Sequence, residues 1–197
     1  QTTLRRGEVL FNEGDSGDRL YILLIGKVKL GHTSVDGREN LLAVLGPGEV
    51  VGELTLFDPG PRSTTATAVA TTELLALEHN QLMGFIDSHP TLAKDMLRAL
   101  AVRLRRTNIA LADLVFSDVP GRVAKALLDL AERFGAPTED GIHVPHDLTQ
   151  EELAQLVGAS RETINKSLAE FVSRGWIRLE GRAVTLIDVE RLKRRAR

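Results

Sequence analysis

The hydrophobic period of this chain changes once, at His89-Pro90, and that change limits the folds open to it. Before it, from Gly7 to Leu77, the stretches "RLYILLIGKVKLG", "ENLLAVLGPGEVVGEL" and "TATAVATTELLAL" mix apolar runs with period-two alternation, separated by Gly, Asp-Gly and Gly-Pro-Gly turns. Alternation of this kind suits half-buried strands, and the spacing predicts a small antiparallel β-roll or jelly-roll barrel. Asp36-Gly37 in "VDGREN" is a hairpin signal, because glycine supplies the positive φ such turns need. Beyond Pro90 the period is helical, so the chain as a whole reads as α+β.

The helical part begins with a regular seam. Ala93, Leu97, Leu100, Leu104, Thr107, Leu111 and Leu114 are spaced alternately by four and three, as the contact positions of a coiled coil are. The pattern predicts one long helix around 91–116 that pairs in parallel with a second copy, making a homodimer. A helix lying on its own barrel would account for the apolar stripe but not for the strict seam. Thr107 interrupts that seam and Asn108 follows it, so these polar residues need a reason: ligand contact or dimer register. "SDVPGR" ends the helix near Phe116, with Asp118 as the N-cap of the next helix and Pro120 tolerated in its first turn. Ser117 and Asp118 form the expected hinge, dividing the chain into 1–89, 90–117 and 118–197.

The last third carries a helix-turn-helix signature. "LTQEELAQLVGASRETINKSLAEFVSRGWIRLEG" opens with a capping box, Thr149 with Glu152, runs through an eight-residue helix, turns at Gly158 and restarts with Ser160 as N-cap. Ala154 leaves room for the second helix to cross, and Ile164, Leu168 and Phe171 are expected to face inward. Arg161, Glu162, Asn165 and Lys166 then project from the first turns of the second helix, where a recognition helix meets the major groove. "WIRLEGRAVTL" reads as a β-hairpin turning at Glu180-Gly181, which makes a winged helix-turn-helix. Charge agrees with a polyanionic partner: residues 1–88 hold 7 basic and 12 acidic side chains, whereas 161–197 hold 10 and 5. A protein-binding winged helix and a solvated tail "RLKRRAR" are the plainer alternatives.

Composition excludes several chemistries. The chain has no cysteine, which removes disulfides, thiolate catalysis, cysteine-bound zinc and iron-sulfur clusters. The five histidines are scattered apart from "HVPH", His143 to His146, which reads as loop, so no metal is expected and a metal-dependent cupin enzyme is disfavoured. No nucleophile-base constellation appears, and no catalysis is expected. No apolar run approaches the roughly 20 residues that span a bilayer and no signal peptide opens the chain, so a soluble cytoplasmic protein without membrane partners is expected. Because residue 1 is Gln rather than Met, residues ahead of it are also expected.

The loop "VGELTLFDPGPRSTTATAV", Val51 to Val69, sets Glu53 near one end and Arg62 beyond two prolines. Paired with each other, the two would simply close the loop. The order β-roll, "GELxLF", "PRSTTA", seam helix, "DVPGRVAKALL", "LTQEELAQLVGASRETINKSL" gives them another role. It resembles the cyclic-AMP receptor protein (catabolite activator) family of bacterial transcription factors, and most of all its actinobacterial members, over essentially the whole chain.

The resemblance implies that the loop is a phosphate-binding cassette for cyclic AMP as allosteric ligand. Its residues would be Gly52, Glu53, Leu54, Arg62 and Ser63, with Arg62 on the phosphate, Glu53 on the ribose 2′-hydroxyl, and Thr107 and the partner's Asn108 at the adenine. It implies a DNA-facing set of Thr149, Ser160, Arg161, Glu162, Asn165 and Lys166 on a palindrome close to TGTGA, with RNA polymerase as a further partner. Lys166 stands where the family usually has a second arginine. Other ligands within the same family pattern are cyclic GMP, cyclic di-GMP or a haem-bound gas, and some relatives bind DNA largely without ligand.

Overall fold

The computed structural model describes residues 1–34, 36–37 and 39–197. They form two compact units, Gln1–Ile109 and Ala110–Arg197, and the division falls inside one long helix. In the first unit the strands are β1 (Thr2–Leu4), β2 (Val9–Phe11), β3 (Arg19–Ile25), β4 (Val28–Thr33), β5 (Glu39–Leu45), β6 (Val50–Val51), β7 (Thr65–Ala68) and β8 (Thr72–Glu78). They make two four-stranded sheets, in the orders β1-β8-β3-β6 and β2-β7-β4-β5, with every pairing antiparallel. Period-two alternation shows directly in β7, where Ala66 and Ala68 are buried and the threonines between them are not. Leu4, Phe11, Leu23, Val28, Leu30, Leu45, Val51 and Leu74 join those alanines in the core between the sheets. The β4-β5 hairpin carries Gly37 at φ +81°, as the turn signal requires; Val35 and Arg38 of that turn lie outside the described residues.

Two short helices in this unit are not evident from periodicity. α1 (Leu54–Phe57) follows β6, and α2 (His79–Ser88) continues from β8 without a break. The local signal for α2 is a capping box, Glu78 with Gln81, with Gln81 Oε1 accepting from the Glu78 amide at 3.0 Å. Leu20, Leu56 and Leu82 form a second apolar cluster, and Leu92 and Met96 of the next helix pack on it. That helix, α3 (Pro90–Phe116), has 27 residues and buries none of them fully. Leu97, Leu104, Leu111 and Leu114 of the seam remain 68, 61, 63 and 51% exposed.

The second unit takes the last turns of α3, then α4 (Val119–Phe134), β9 (Ala136–Thr138), β10 (Gly141–Val144), α5 (Gln150–Val157), α6 (Arg161–Ser173), β11 (Ile177–Glu180), β12 (Ala183–Leu186) and α7 (Val189–Arg195). Its sheet runs β11-β12-β10-β9, all antiparallel. The wing turns one residue later than expected, at Gly181-Arg182, because Glu180 still pairs with Ala183. His143 lies on β10 rather than in a loop, since "GIHV" pairs with β12. The basic tail is also ordered: Asp188 caps α7 by accepting from the Arg191 amide at 3.0 Å, and Leu192 is fully buried. Around α4 the core comprises Val123, Leu127, Leu130, Leu148, Leu153, Ile164, Leu168 and Phe171.

Trp176, the single tryptophan, belongs to this unit, so its fluorescence reports the second core alone. Leu127→Ala is expected to lower the stability read by Trp176 in urea by about 2–5 kcal/mol, while the unfolding of the β-roll, followed by circular dichroism of its strands, stays in place.

Candidate functional site

Two regions gather the residues singled out in the sequence. The first is the loop between β6 and β7. Arg62 is 4% exposed and Glu53 3% exposed, although both are charged residue types that are seldom buried. They are partnered separately. Glu53 Oε1 accepts from Arg103 Nη1 of α3 at 2.6 Å, and Arg103 Nη2 donates to the Val50 carbonyl at 2.6 Å. Among the described residues Arg62 donates to neutral oxygens: Nη1 to the Gly52 carbonyl at 2.6 Å and Thr55 Oγ1 at 3.1 Å, and Nη2 to the Arg19 carbonyl at 2.7 Å. Its Cζ stands 4.3 Å from the centre of the Phe11 ring, while its Nε is buried with no partner among the described residues.

Close approach by glycine backbone makes this possible. A Cβ on Gly17 would lie 2.4 Å from Cζ and Nε of Arg62, and one on Gly52 2.5 Å from Nη1. The arginine backbone is fixed as well, its amide donating to the Asp15 carbonyl and its carbonyl accepting from the Gly14 amide, both at 2.8 Å. Burial pushes the Arg62 guanidinium below the ordinary arginine range, while the fields of Tyr21, Asp18, Glu53 and Asp15 pull the other way. Arginine nonetheless keeps its proton in proteins, so the cradle holds a cation with an unused donor.

Leu54 and Ser63 lie exposed on the same loop. Thr107 and Asn108 are exposed on α3, and Thr107 Oγ1 donates back to the Arg103 carbonyl at 3.1 Å, one turn from the arginine that holds Glu53. Arg103, Thr55 and Gly17 escaped the sequence reading. For Arg103 the available signal was its place four residues before Thr107, within "RLRRTN".

The second region is the α5–α6 pair. Thr149 Oγ1 accepts from the Glu152 amide at 3.1 Å and Glu152 Oε2 from the Thr149 amide at 2.7 Å, which is the expected capping box. Gly158 takes the left-handed conformation at φ +70°, and Ser160 Oγ accepts from the Thr163 amide at 3.2 Å. Ile164, Leu168 and Phe171 face the core, leaving Arg161, Glu162 and Lys166 exposed. Lys166 and Glu162 pair along the helix at 2.7 Å. Asn165 is half-buried, and its Oδ1 is buried without a partner among the described residues.

Ser117 and Asp118 sit between α3 and α4 as expected, with Asp118 capping α4 through the Gly121 amide at 3.0 Å. A hydrogen bond from Arg195, with lesser help from that amide, holds the Asp118 carboxyl below the usual range. Among the described residues no cluster of three or more His, Cys, Asp or Glu side chains is placed to hold a metal ion, and no helix is long and apolar enough to cross a membrane.

A β-roll with a buried cationic cradle, followed in one chain by a long helix and a winged helix-turn-helix, is the build of a DNA-binding regulator. Comparison with known proteins agrees. Residues 1–89 match the cyclic nucleotide-binding domain and residues 121–195 the Crp-like helix-turn-helix domain. The chain is 57% identical over 192 residues to the CRP-like cAMP-activated global transcriptional regulator of Mycobacterium tuberculosis, covering 98% of this chain and 86% of that protein. It is 40% identical over 174 residues to the cyclic AMP receptor protein of Thermus thermophilus, covering 88% of this chain and 77% of that one. A CRP-family transcriptional regulator of known structure from Thermus thermophilus superposes with a TM-score of 0.84 at 29% identity, over 100% of this chain and 96% of that one. The chain belongs to the CRP-like family of transcriptional regulators.

Two outcomes test the geometry. Arg103→Met leaves the Glu53 carboxylate buried and unpaired and is expected to cost the β-roll about 1–3 kcal/mol in urea denaturation, part of which the double variant with Glu53→Met regains. The stabilisation from Asp118, whose folded value is depressed, is present above the ordinary aspartate range near about pH 4 and is lost as pH falls through the folded value. The difference between wild type and Asp118→Asn in Trp176-monitored urea titrations should therefore shrink from pH 7 to pH 3.

Proposed function

We propose that the protein is a homodimeric, cyclic-AMP-responsive regulator that reads a palindromic DNA site. The observation that carries the ligand half is Arg62: a buried guanidinium with, among the described residues, no acid partner and an unused Nε, beside Glu53, a strong acceptor. A cyclic mononucleotide offers the complement, one anionic phosphodiester and one ribose hydroxyl. Arg62, with Ser63 and the backbone at Gly52 and Leu54, would hold the phosphate by charge-assisted hydrogen bonds, and Glu53 would accept from the 2′-hydroxyl. Thr107 and the partner subunit's Asn108 would meet the adenine. The names of the mycobacterial and Thermus relatives support cyclic AMP as that nucleotide.

The exposed leucines of α3 supply the dimer face. Leucines more than half exposed along one heptad seam form an apolar stripe whose burial is favourable, and a second copy of the same seam would cover it. The chain then divides into a sensor over 1–89, a dimer helix over 90–117 and a DNA-binding domain over 118–197. Two copies of α6 would enter successive major grooves about 34 Å apart. Arg161 and Lys166 would donate to guanines and Glu162 would accept from cytosine in a TGTGA-like half-site, while Thr149, Ser160 and Asn165 support the contact. Lys166 lacks the two-pronged fork of arginine and is already paired with Glu162, so base preference at its position should be relaxed.

Ligand binding beside Thr107 and Asn108 would stiffen the end of α3 and reorient the DNA-binding domains about Ser117 and Asp118. By linkage, DNA must tighten nucleotide binding by the same factor. Such a regulator acts in the cytoplasm, with RNA polymerase as its partner.

Calorimetric titration of the dimer with cyclic AMP and cyclic GMP tests the assignment. Adenine-selective binding is expected, and Arg62→Ala should weaken it roughly 10- to 100-fold without unfolding the roll. Arg161→Ala should cost about 1–3 kcal/mol in binding to the palindrome while leaving cyclic AMP affinity unchanged. Equal loss of both activities in either variant would contradict this division of labour.

A further inference from the structure

The stretch between α3 and α4 is short, but it is heavily bonded. Asp118 caps α4 and also accepts from Arg195 Nη2 of the C-terminal helix at 2.6 Å. The first turn of α4 approaches α7 so closely that a Cβ on Gly121 would lie 2.9 Å from Asp118 Oδ1 and 3.4 Å from both Nη1 and the carbonyl oxygen of Arg195. α7 is itself anchored, with Leu192 fully buried and its own cap at Asp188.

One turn further along α4, the Arg122 guanidinium binds three carbonyls. Nη1 donates to Ser117 at 2.8 Å, Nε to Val157 at 3.0 Å and Nη2 to Gly158 at 3.1 Å. Lys125 pairs with Asp113 of α3, whose Oδ1 also accepts from Ser117 Oγ at 3.2 Å. A Cβ on Gly158 would stand 2.8 Å from Leu114, so the helix-turn-helix turn also touches α3. All of these groups belong to the second unit, which includes α3 from Ala110 onward.

We propose that Arg195 and Arg122 are positioning residues that clasp this joint, holding the last turns of α3, the start of α4 and the turn between α5 and α6 together in one of the two arrangements between which the ligand-driven reorientation about Ser117 and Asp118 would pass. Ser117 and Asp118 are then a latched joint rather than a free swivel. The C-terminal helix, which makes no base contact in the reading above, acts on DNA affinity through the latch. This consequence rests on the proposed ligand-responsive DNA binding: a joint whose clasp is open must be ordered when DNA binds, and that lost entropy weakens the complex.

The experiment uses the full chain, comparing wild type with Arg195→Gln, Arg195→Lys and Arg122→Gln. Amide hydrogen exchange is measured along the chain, and affinity for a TGTGA palindrome is measured with and without saturating cyclic AMP. In Arg195→Gln the amides of Gly121 and Arg122 should exchange at least about fivefold faster, while those of β10 and β12 are unchanged. DNA affinity with cyclic AMP should fall about three- to tenfold, with Arg195→Lys regaining part of the loss. Arg122→Gln should speed exchange at Gly158 and Ala159 as well.

Exchange at the joint and DNA affinity both within twofold of wild type would overturn the clasp. So would uniform acceleration over the whole second unit with a matching fall in Trp176-monitored stability, since that is a structural role only. If wild-type DNA binding ignores cyclic AMP, the ligand assignment fails, and the exchange measurement still decides the clasp.

Discussion

Arg62 imposes the tightest demand in the first unit, because a guanidinium cannot shed its proton and so must be satisfied where it is buried. The carbonyls of Gly52 and Arg19 and the Thr55 hydroxyl provide that satisfaction, and each must come within about 3 Å of one planar group. The loop can meet this only if backbone rather than side chain stands against the guanidinium, which explains Gly17 and Gly52. It also requires the strands on either side, β6 and β7, to deliver the two ends of the loop in a fixed register. The sandwich of two antiparallel sheets thus serves as a frame for one cation, and the three oxygens leave its Nε donor without an acceptor among the described residues.

Glu53 carries the demand from the loop to the long helix. Its carboxylate is buried as deeply as Arg62, but its partner, Arg103, is on α3, and Arg103 also binds the Val50 carbonyl at the loop's entrance. One turn further along, α3 presents Thr107, the polar residue that interrupts the seam, and Asn108 beside it. A ligand hydroxyl reaching Glu53 would share that carboxylate with Arg103, so occupancy of the loop and the state of the helix surface draw on one acceptor. In the proposed reading, a seam of leucines interrupted at this point would join dimer contact and ligand contact on a single face.

What could be read from the sequence follows the range of the interactions. The helix-turn-helix was legible nearly to the residue, since Thr149-Glu152, Gly158 and Ser160 act within one helical turn of themselves. Asp118 as a cap was legible for the same reason. α2 was missed because a strand runs straight into it without a break in composition, and its ten residues bury only Leu82 completely. Strands β9 and β10 were missed because "APTEDGIHV" contains Pro137 and little apolar alternation; pairing of β10 with β12, and of β9 with β10, makes them strands. The tail "RLKRRAR" reads as solvated charge, and only Leu192 and the long-range partner of Arg195 show why it folds. In the loop, Glu53 and Arg62 stood out by residue type, but that they take different partners depends on Arg103, 50 residues from Glu53.

One helix runs from the first unit into the second, and a local change can pass along it through the groups bonded to it. Toward its start, Leu92 and Met96 pack on the roll and Arg103 reaches the loop. At its far end, Asp113 and Ser117 are bonded to α4, and the Leu114 side chain lies against the turn between α5 and α6. Between these two sets of anchors lie Thr107, Asn108 and Ile109, exposed and with few ties of their own. A ligand contact there would act on the stretch of helix least constrained by either core, where a small differential interaction produces the largest shift between conformations.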